Sequence, residues 1–291
     1  MKIDVLDSCT AIRDILNAPL PERPERLRQM LEPVAGMYRY FPGEPDLVAL
    51  HHMGGGFRVD REDERALLAL DALRDADAWG RIERALHEGL ARQLEATPGI
   101  ATPDELRVLL VLGDSADRHF MDVALGTTAN GSVAGYLWIC VWPSEENLAR
   151  LEAVAVHELN HNLRYCTVPW DPATVTVGEQ IVSEGLADAF ARQLYGDLGY
   201  ARIGLPSLHD DAVFVKVVAN LDITGMQNFT AWVHGDAIAA RYGATPVGLP
   251  TGAGYAVGNR LVDAYLAATG KTAAEALLVD RDEVIRTALS D

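Results

Sequence analysis

The 291-residue sequence is poor in cysteine, short of basic side chains and without a long apolar run. Its three cysteines, Cys9, Cys140 and Cys166, are odd in number and widely spaced, with no CxxC pair. That pattern offers neither a disulfide framework nor a thiolate metal site and reads as free thiols. Lys and Arg total 25 against 42 Asp and Glu, a formal net charge of −17. A surface of that sign repels phosphate backbones and anionic lipid, so neither nucleic acid nor a membrane is an expected partner. Asp4, Asp7 and Arg13 fall where a signal peptide needs unbroken apolar residues, and the uncharged stretch from Val123 to Ser144 is cut by Gly126, Asn130 and Gly131, well short of a spanning helix. A cytoplasmic protein is the expectation. With 49% hydrophobic and 23% charged residues the composition is globular, and the length suits one large domain or two lobes sharing a site.

Residues 1–100 read as an N-terminal helical region. Pro21 to Pro24 open one helical segment that runs through Met37, and Arg61 to Glu95 carry Leu67, Leu70, Leu73, Ile82, Leu86, Leu90 and Leu94 at helical spacing. His51 and His52 precede Gly54, Gly55 and Gly56, which read as a surface turn because no phosphate-loop ending follows. The pattern changes at Thr97-Pro98-Gly99, and 101–291 read as a second domain. Its sheet begins with Leu106–Leu112 and continues with Tyr136–Trp142, which stops at Pro143. Ser144 is placed to cap a helix over about 145–165, and a further helix spans about 177–195 up to Gly196. The remainder, from about Ala212 to Leu289, reads as mainly helical, with a glycine-rich interruption from Gly243 to Gly258.

The helix over 145–165 contains His157-Glu158-Leu159-Asn160-His161. Four residues turn an α-helix by about 400°, so the two imidazoles point the same way and can reach one tetrahedral zinc ion. Glu158 is displaced by about 100°, where its carboxylate flanks the ion and can take a proton from a zinc-bound water. A catalytic zinc needs a third protein ligand, and Glu184 in Ser183-Glu184-Gly185-Leu186-Ala187-Asp188, 23 residues after His161, is the preferred one. Asp188, one turn further on, is suited to hold a ligand imidazole by its second ring nitrogen. Glu179 competes for the ligand role, with Asp188 a third choice. Cys166 points about 140° away from His161 and cannot close a four-ligand structural site.

HELNH followed by the Glu184 helix resembles the gluzincin group of zincin metallopeptidases, in which a downstream Glu is the third zinc ligand. The late segment Gly254-Tyr255-Ala256-Val257-Gly258, with Leu261 to Gly270 after it, resembles the YjaZ-like predicted zinc-dependent proteases, a domain of unknown function. The likeness covers roughly residues 100 to 290. It implies a zincin-like α+β fold, mostly helical, with a small mixed sheet beside the HExxH helix and Tyr136–Trp142 as the strand edging the cleft. It also implies one zinc per chain on His157, His161 and Glu184, and a peptide or protein substrate cleaved by a zinc-bound water that Glu158 activates. Gluzincins commonly stabilise the oxyanion with a Tyr or His of the C-terminal lobe, which makes Tyr255 and His234 the candidates here. The motif itself does not specify a peptide, and a zinc-dependent hydrolase or lyase acting on a small carbonyl substrate is the alternative.

Overall fold

The computed structural model describes residues 1–40 and 43–290. Contacts divide them into two compact units, Met1–Glu88 with Thr102–Glu158, and Gly89–Ala101 with Leu159 onward. In chain order the elements are β1 (Lys2–Val5), α1 (Ser8–Asn17), α2 (Arg23–Leu31), α3 (Leu47–Met53), α4 (Ala66–Asp75), α5 (Ala78–Ala96), β2 (Glu105–Leu112), β3 (Thr127–Asn130), β4 (Tyr136–Val141), α6 (Glu145–Leu148) and α7 (Leu151–Arg164). After them come α8 (Val177–Tyr195), α9 (Asp211–Val218), α10 (Asp236–Arg241), α11 (Ala253–Thr269) and α12 (Arg281–Ala288). The fold is α+β, mostly helical, with one small mixed sheet.

The sheet has the order β1-β2-β4-β3, with β1, β2 and β4 parallel and β3 antiparallel to β4. It starts at Lys2 and not at Leu106, because β1 registers Ile3 opposite Leu106 and Val5 opposite Val108. Four residues with charges at every other position give too short an alternation to be told from a loop in the sequence. Strand β4, expected to edge the cleft, is interior, pairing with β2 on one side and β3 on the other. Its side chains explain this: Leu137 to Val141 are all buried, as are Val108 to Leu112 of β2, and only a strand covered on both faces accommodates such a run. The edge strands are β1 and β3, and Thr127-Thr128-Ala129-Asn130 of β3 is half exposed.

Several helices break where the sequence pattern runs on. Arg61–Glu95 divides at Asp77, whose φ of 52° ends α4 before α5 begins. The helix expected over 145–165 divides into α6 and α7, and Asn147 ties the short first turn down by donating to the carbonyls of Trp142 and Gly126. Ser144 caps α6 through the Asn147 N–H, and Thr176 caps α8 through the Glu179 N–H. His51, read as part of a surface turn, is fully buried, its Nε2 3.0 Å from the Phe57 carbonyl.

In the second unit α8 is buried on every side from Val177 to Ala191. It crosses α11 at Gly185 and Gly258, where a Cβ on Gly185 would fall 2.2 Å from the Gly258 carbonyl oxygen and one on Gly258 2.3 Å from that of Ile181. Two backbones this close leave no room for a side chain on either helix. The contact fixes the register of α11 against α8, and with it the placing of Asn259 beside Asp188.

Candidate metal centre

The helix α7 delivers His157, Glu158 and His161, and α8 delivers Glu184. His157, His161 and Glu184 each offer one ligand atom, all within 4.8 Å of one another, and the group is buried, with His157 its most exposed member. The three residues picked out by spacing are therefore together in space and could hold a metal ion. His161 Nε2 lies 3.2 Å from Glu184 Oε2. Two donors at zinc-ligand distance from one tetrahedral ion stand roughly 3.3–3.4 Å apart, so the pair has the span that such an ion requires. Two imidazole nitrogens and a carboxylate oxygen are also the donor set of a catalytic zinc, with a coordination position left open.

Glu179, the competing acid, is committed elsewhere. Its two oxygens receive Nε and Nη2 of Arg164, each at 3.0 Å, while Arg164 Nη1 donates to the carbonyls of Leu277 and Val279 at 2.7 and 3.0 Å. Arg164 is completely buried, so this fork-to-fork pair is desolvated and satisfied at both ends. Asp188 is also fully buried, and its Oδ2 accepts from the Ala201 N–H at 3.0 Å and from Asn259 Nδ2 at 2.7 Å.

Tyr255 and His234 are brought together. Tyr255 Oη is 3.4 Å from His234 Nε2, and the rings are parallel within 2° at a centroid separation of 5.9 Å. Burial pushes the His234 pKa below the ordinary imidazole value, opposed by the Glu184 carboxylate, which is close enough to act on it. The imidazole is thus kept mainly neutral near pH 7, with a nitrogen free to donate. Glu158 is buried as well, and the loop after the edge strand abuts it: a Cβ on Gly131 would lie 2.2 Å from the Glu158 carbonyl oxygen. Only glycine brings the end of β3 that close to the motif helix.

Sequence reasoning passed over two residues here. Ser183 Oγ lies 3.0 Å from His161 Nδ1, and the Tyr165 ring is stacked on His161 at 6.3 Å with an interplanar angle of 11°. Tyr165 follows His161 by four residues, a spacing that places it on the same helix face and was available as a signal. Ser183 had no such signal, since its approach to His161 depends on how α7 and α8 pack. Among the described residues, no helix is long and apolar enough to cross a membrane.

Comparison with known proteins agrees with the site. YjfC of Bacillus subtilis (strain 168), an uncharacterized protein, is 31% identical over 172 residues, which is 58% of this chain and 58% of that protein. The chain thus matches a little over half the length of this relative. No solved structure matches. The model of a family described as predicted Zn-dependent protease (DUF2268) matches residues 86–286, most of the chain and every residue of the buried His-His-Glu group. The chain belongs to this predicted Zn-dependent protease family.

Proposed function

We propose that the protein is a zinc-dependent metallopeptidase of gluzincin type, with one zinc per chain held by His157, His161 and Glu184. The observation that carries this reading is the buried cluster of those three residues, with a donor set and span that suit zinc. Bound zinc supplies a Lewis acid and brings the pKa of water at the site toward about 7. Glu158, next to His157 on the inner part of α7, accepts the proton of the attacking water and returns it to the leaving amine. Tyr255 and His234 donate to the oxyanion as it forms, an arrangement that favours the transition state over the bound substrate. Asp188 holds a ligand imidazole in orientation.

The substrate is read as an extended peptide. Strand β3 lies at an edge of the sheet, and Gly131 directly after it abuts Glu158, so a peptide added to that edge by main-chain hydrogen bonds runs toward the general base. The catalytic machinery is assigned to residues 101–291, with residues 1–88 supplying β1 and helices of the first unit. Digestion of a denatured-protein peptide library, analysed by mass spectrometry, tests the proposal. Wild type is expected to generate a defined set of new termini, and Glu158→Gln to lose them while still binding zinc. Identical digests from the two proteins would remove the peptidase reading.

A further inference from the structure

Asn259 is 2% exposed and stands one turn after Tyr255 on α11. Its Nδ2 donates to Asp188 Oδ2 at 2.7 Å and to the Tyr255 carbonyl at 2.9 Å. That carbonyl can only accept, so it is the nitrogen of the amide, not the oxygen, that faces these two groups, and both of its hydrogens are used on them. Asn259 Oδ1 is buried with no protein partner among the described residues. A leucine has nearly the same shape and brings no unmatched oxygen, so packing alone would favour it at this position. The amide is explained by what its nitrogen holds.

The bond to Asp188 is one rung of a ladder between α8 and α11. Arg192, four residues after Asp188, pairs with Asp263, four residues after Asn259, through Nη2 at 2.5 Å and Nη1 at 3.3 Å. Equal steps of about one turn, taken in the same direction along both chains, mean that the helices run in the same sense along this seam. One step back from Asp188 and Asn259 are Glu184 on α8 and Tyr255 on α11. Asn259 therefore supplies the rung next to the candidate site. The Ala201 N–H donates to the same Asp188 oxygen at 3.0 Å, so that atom is held from two elements, in both cases by a neutral donor. A neutral donor fixes a carboxylate without adding a positive charge that would repel a nearby metal ion.

We propose that Asn259 is a positioning residue of the metal centre: its amide nitrogen orients the Asp188 carboxylate and, by holding the Tyr255 carbonyl with its other hydrogen, ties that carboxylate to the turn of α11 that carries Tyr255. This rests on the reading of His157, His161 and Glu184 as the zinc site, with Asp188 orienting a ligand imidazole. Asn259 touches neither metal nor substrate, so its effect on the metal passes through Asp188.

The test is a double-mutant cycle on zinc affinity, measured by chelator competition below the melting temperature of each protein. Asp188→Ala is expected to weaken zinc binding about 10- to 100-fold, the effect typical of losing a partner to a ligand histidine, and Asn259→Leu about 10-fold, both with the same stoichiometry at saturation. In the Asp188→Ala background, Asn259→Leu should change the affinity by less than twofold, because the group it acts through is gone. Asn259→Ser, which keeps a short hydroxyl donor, should recover part of the loss, and it takes the place of Asn259→Leu in the cycle if the leucine variant does not fold. An Asn259→Leu affinity within twofold of a wild type that binds one zinc overturns the proposal and leaves the metal site standing. Equal losses with and without Asp188 overturn it too, since a residue that only supports the fold weakens binding whether or not that carboxylate is present. Failure of wild type to bind zinc at all would instead refute the metal site, and the role of Asn259 with it.

Discussion

The division of labour between Glu179 and Glu184 gives the sharpest prediction, because the two acids sit on one helix five residues apart and one of them was a rival for the ligand role. Glu179 is locked to Arg164 by two 3.0 Å hydrogen bonds, and Arg164 has no exposure to water. Glu179→Ala leaves a guanidinium buried with two carbonyls but no counter-charge, and stranding one member of a buried ion pair costs about 3–5 kcal/mol. At roughly 2–4 °C per kcal/mol for a unit of this size, the melting temperature should fall by about 6–20 °C. Glu179→Gln keeps a hydrogen bond to the guanidinium and should fall between the two. Glu184→Ala leaves the Arg164–Glu179 pair intact, so in the metal-free protein its melting temperature should fall by less than that of Glu179→Ala. Circular-dichroism melts in chelator separate these effects from metal stabilisation, and elemental analysis of the same proteins after zinc loading and dialysis completes the experiment. Glu179→Ala should retain near one zinc per chain below its melting point, and Glu184→Ala should lose it. A Glu179→Ala protein that melts like wild type and has lost its zinc, beside a Glu184→Ala protein that has kept it, would refute the assignment.

The α8–α11 crossing should reject the smallest side chain: Gly185→Ala places a methyl 2.2 Å from the Gly258 carbonyl, and the net loss should be about 1–3 kcal/mol despite a helix-propensity gain of about 1, read as a lower metal-free melting temperature. A melting temperature at or above wild type would show that the helices part without cost. Burial, with His52 and Arg58 nearby, pushes the His51 pKa down to about 3 from an ordinary 6.5, while its hydrogen bond to the Phe57 carbonyl works the other way. The folded protein therefore resists a proton that the unfolded chain accepts, so this stability is complete above about pH 6.5 and is lost as pH falls toward 3. Between pH 6.5 and 4.5 the loss is about 3 kcal/mol. Urea titrations across that interval should show a shallower pH slope for His51→Gln than for wild type, and equal slopes would remove His51 as the cause.

Much of the candidate site was legible because helical spacing is a strong local constraint. His157 and His161 share a face of α7 whatever surrounds them, and α8 was bounded correctly at Val177 and Tyr195 because Thr176 and Gly196 mark its ends. Glu184 could be preferred over Glu179 only by argument about helix faces, since the fact that occupies Glu179 is Arg164 on another helix. The sheet was read less well. Two buried strands declared themselves by composition, but their neighbours did not: β1 and β3 are four residues each, polar at half or more of their positions, and take their identity from pairing with β2 and β4. The misplaced edge followed from that, because β4 looks terminal only when β3 is invisible. His51 was misjudged for a related reason, since nothing in His-His-Met-Gly-Gly-Gly says that the chain turns back to put Phe57 over the imidazole.

What α8 adds is a view of why stability and chemistry are hard to separate in this protein. A helix buried on all sides is ordinarily apolar on all sides. This one carries Glu179, Gln180, Ser183, Glu184 and Asp188 into the interior, each nine-tenths buried or more. Burying so many polar groups is costly unless they are matched, and partners on other elements supply much of that: Arg164 for Glu179, His161 for Ser183, Asn259 and the Ala201 N–H for Asp188, while Gln180 Nε2 donates to Met226. Glu184 faces one ring nitrogen of His161 at 3.2 Å, and its charge reaches His234. Zinc bound at His157, His161 and Glu184, as proposed, would set a cation against this buried carboxylate and add to the stability of the fold. Zinc at a hundred times its dissociation constant should raise the stability of wild type by about 2.7 kcal/mol over the metal-free protein, and Glu184→Ala should show no such gain.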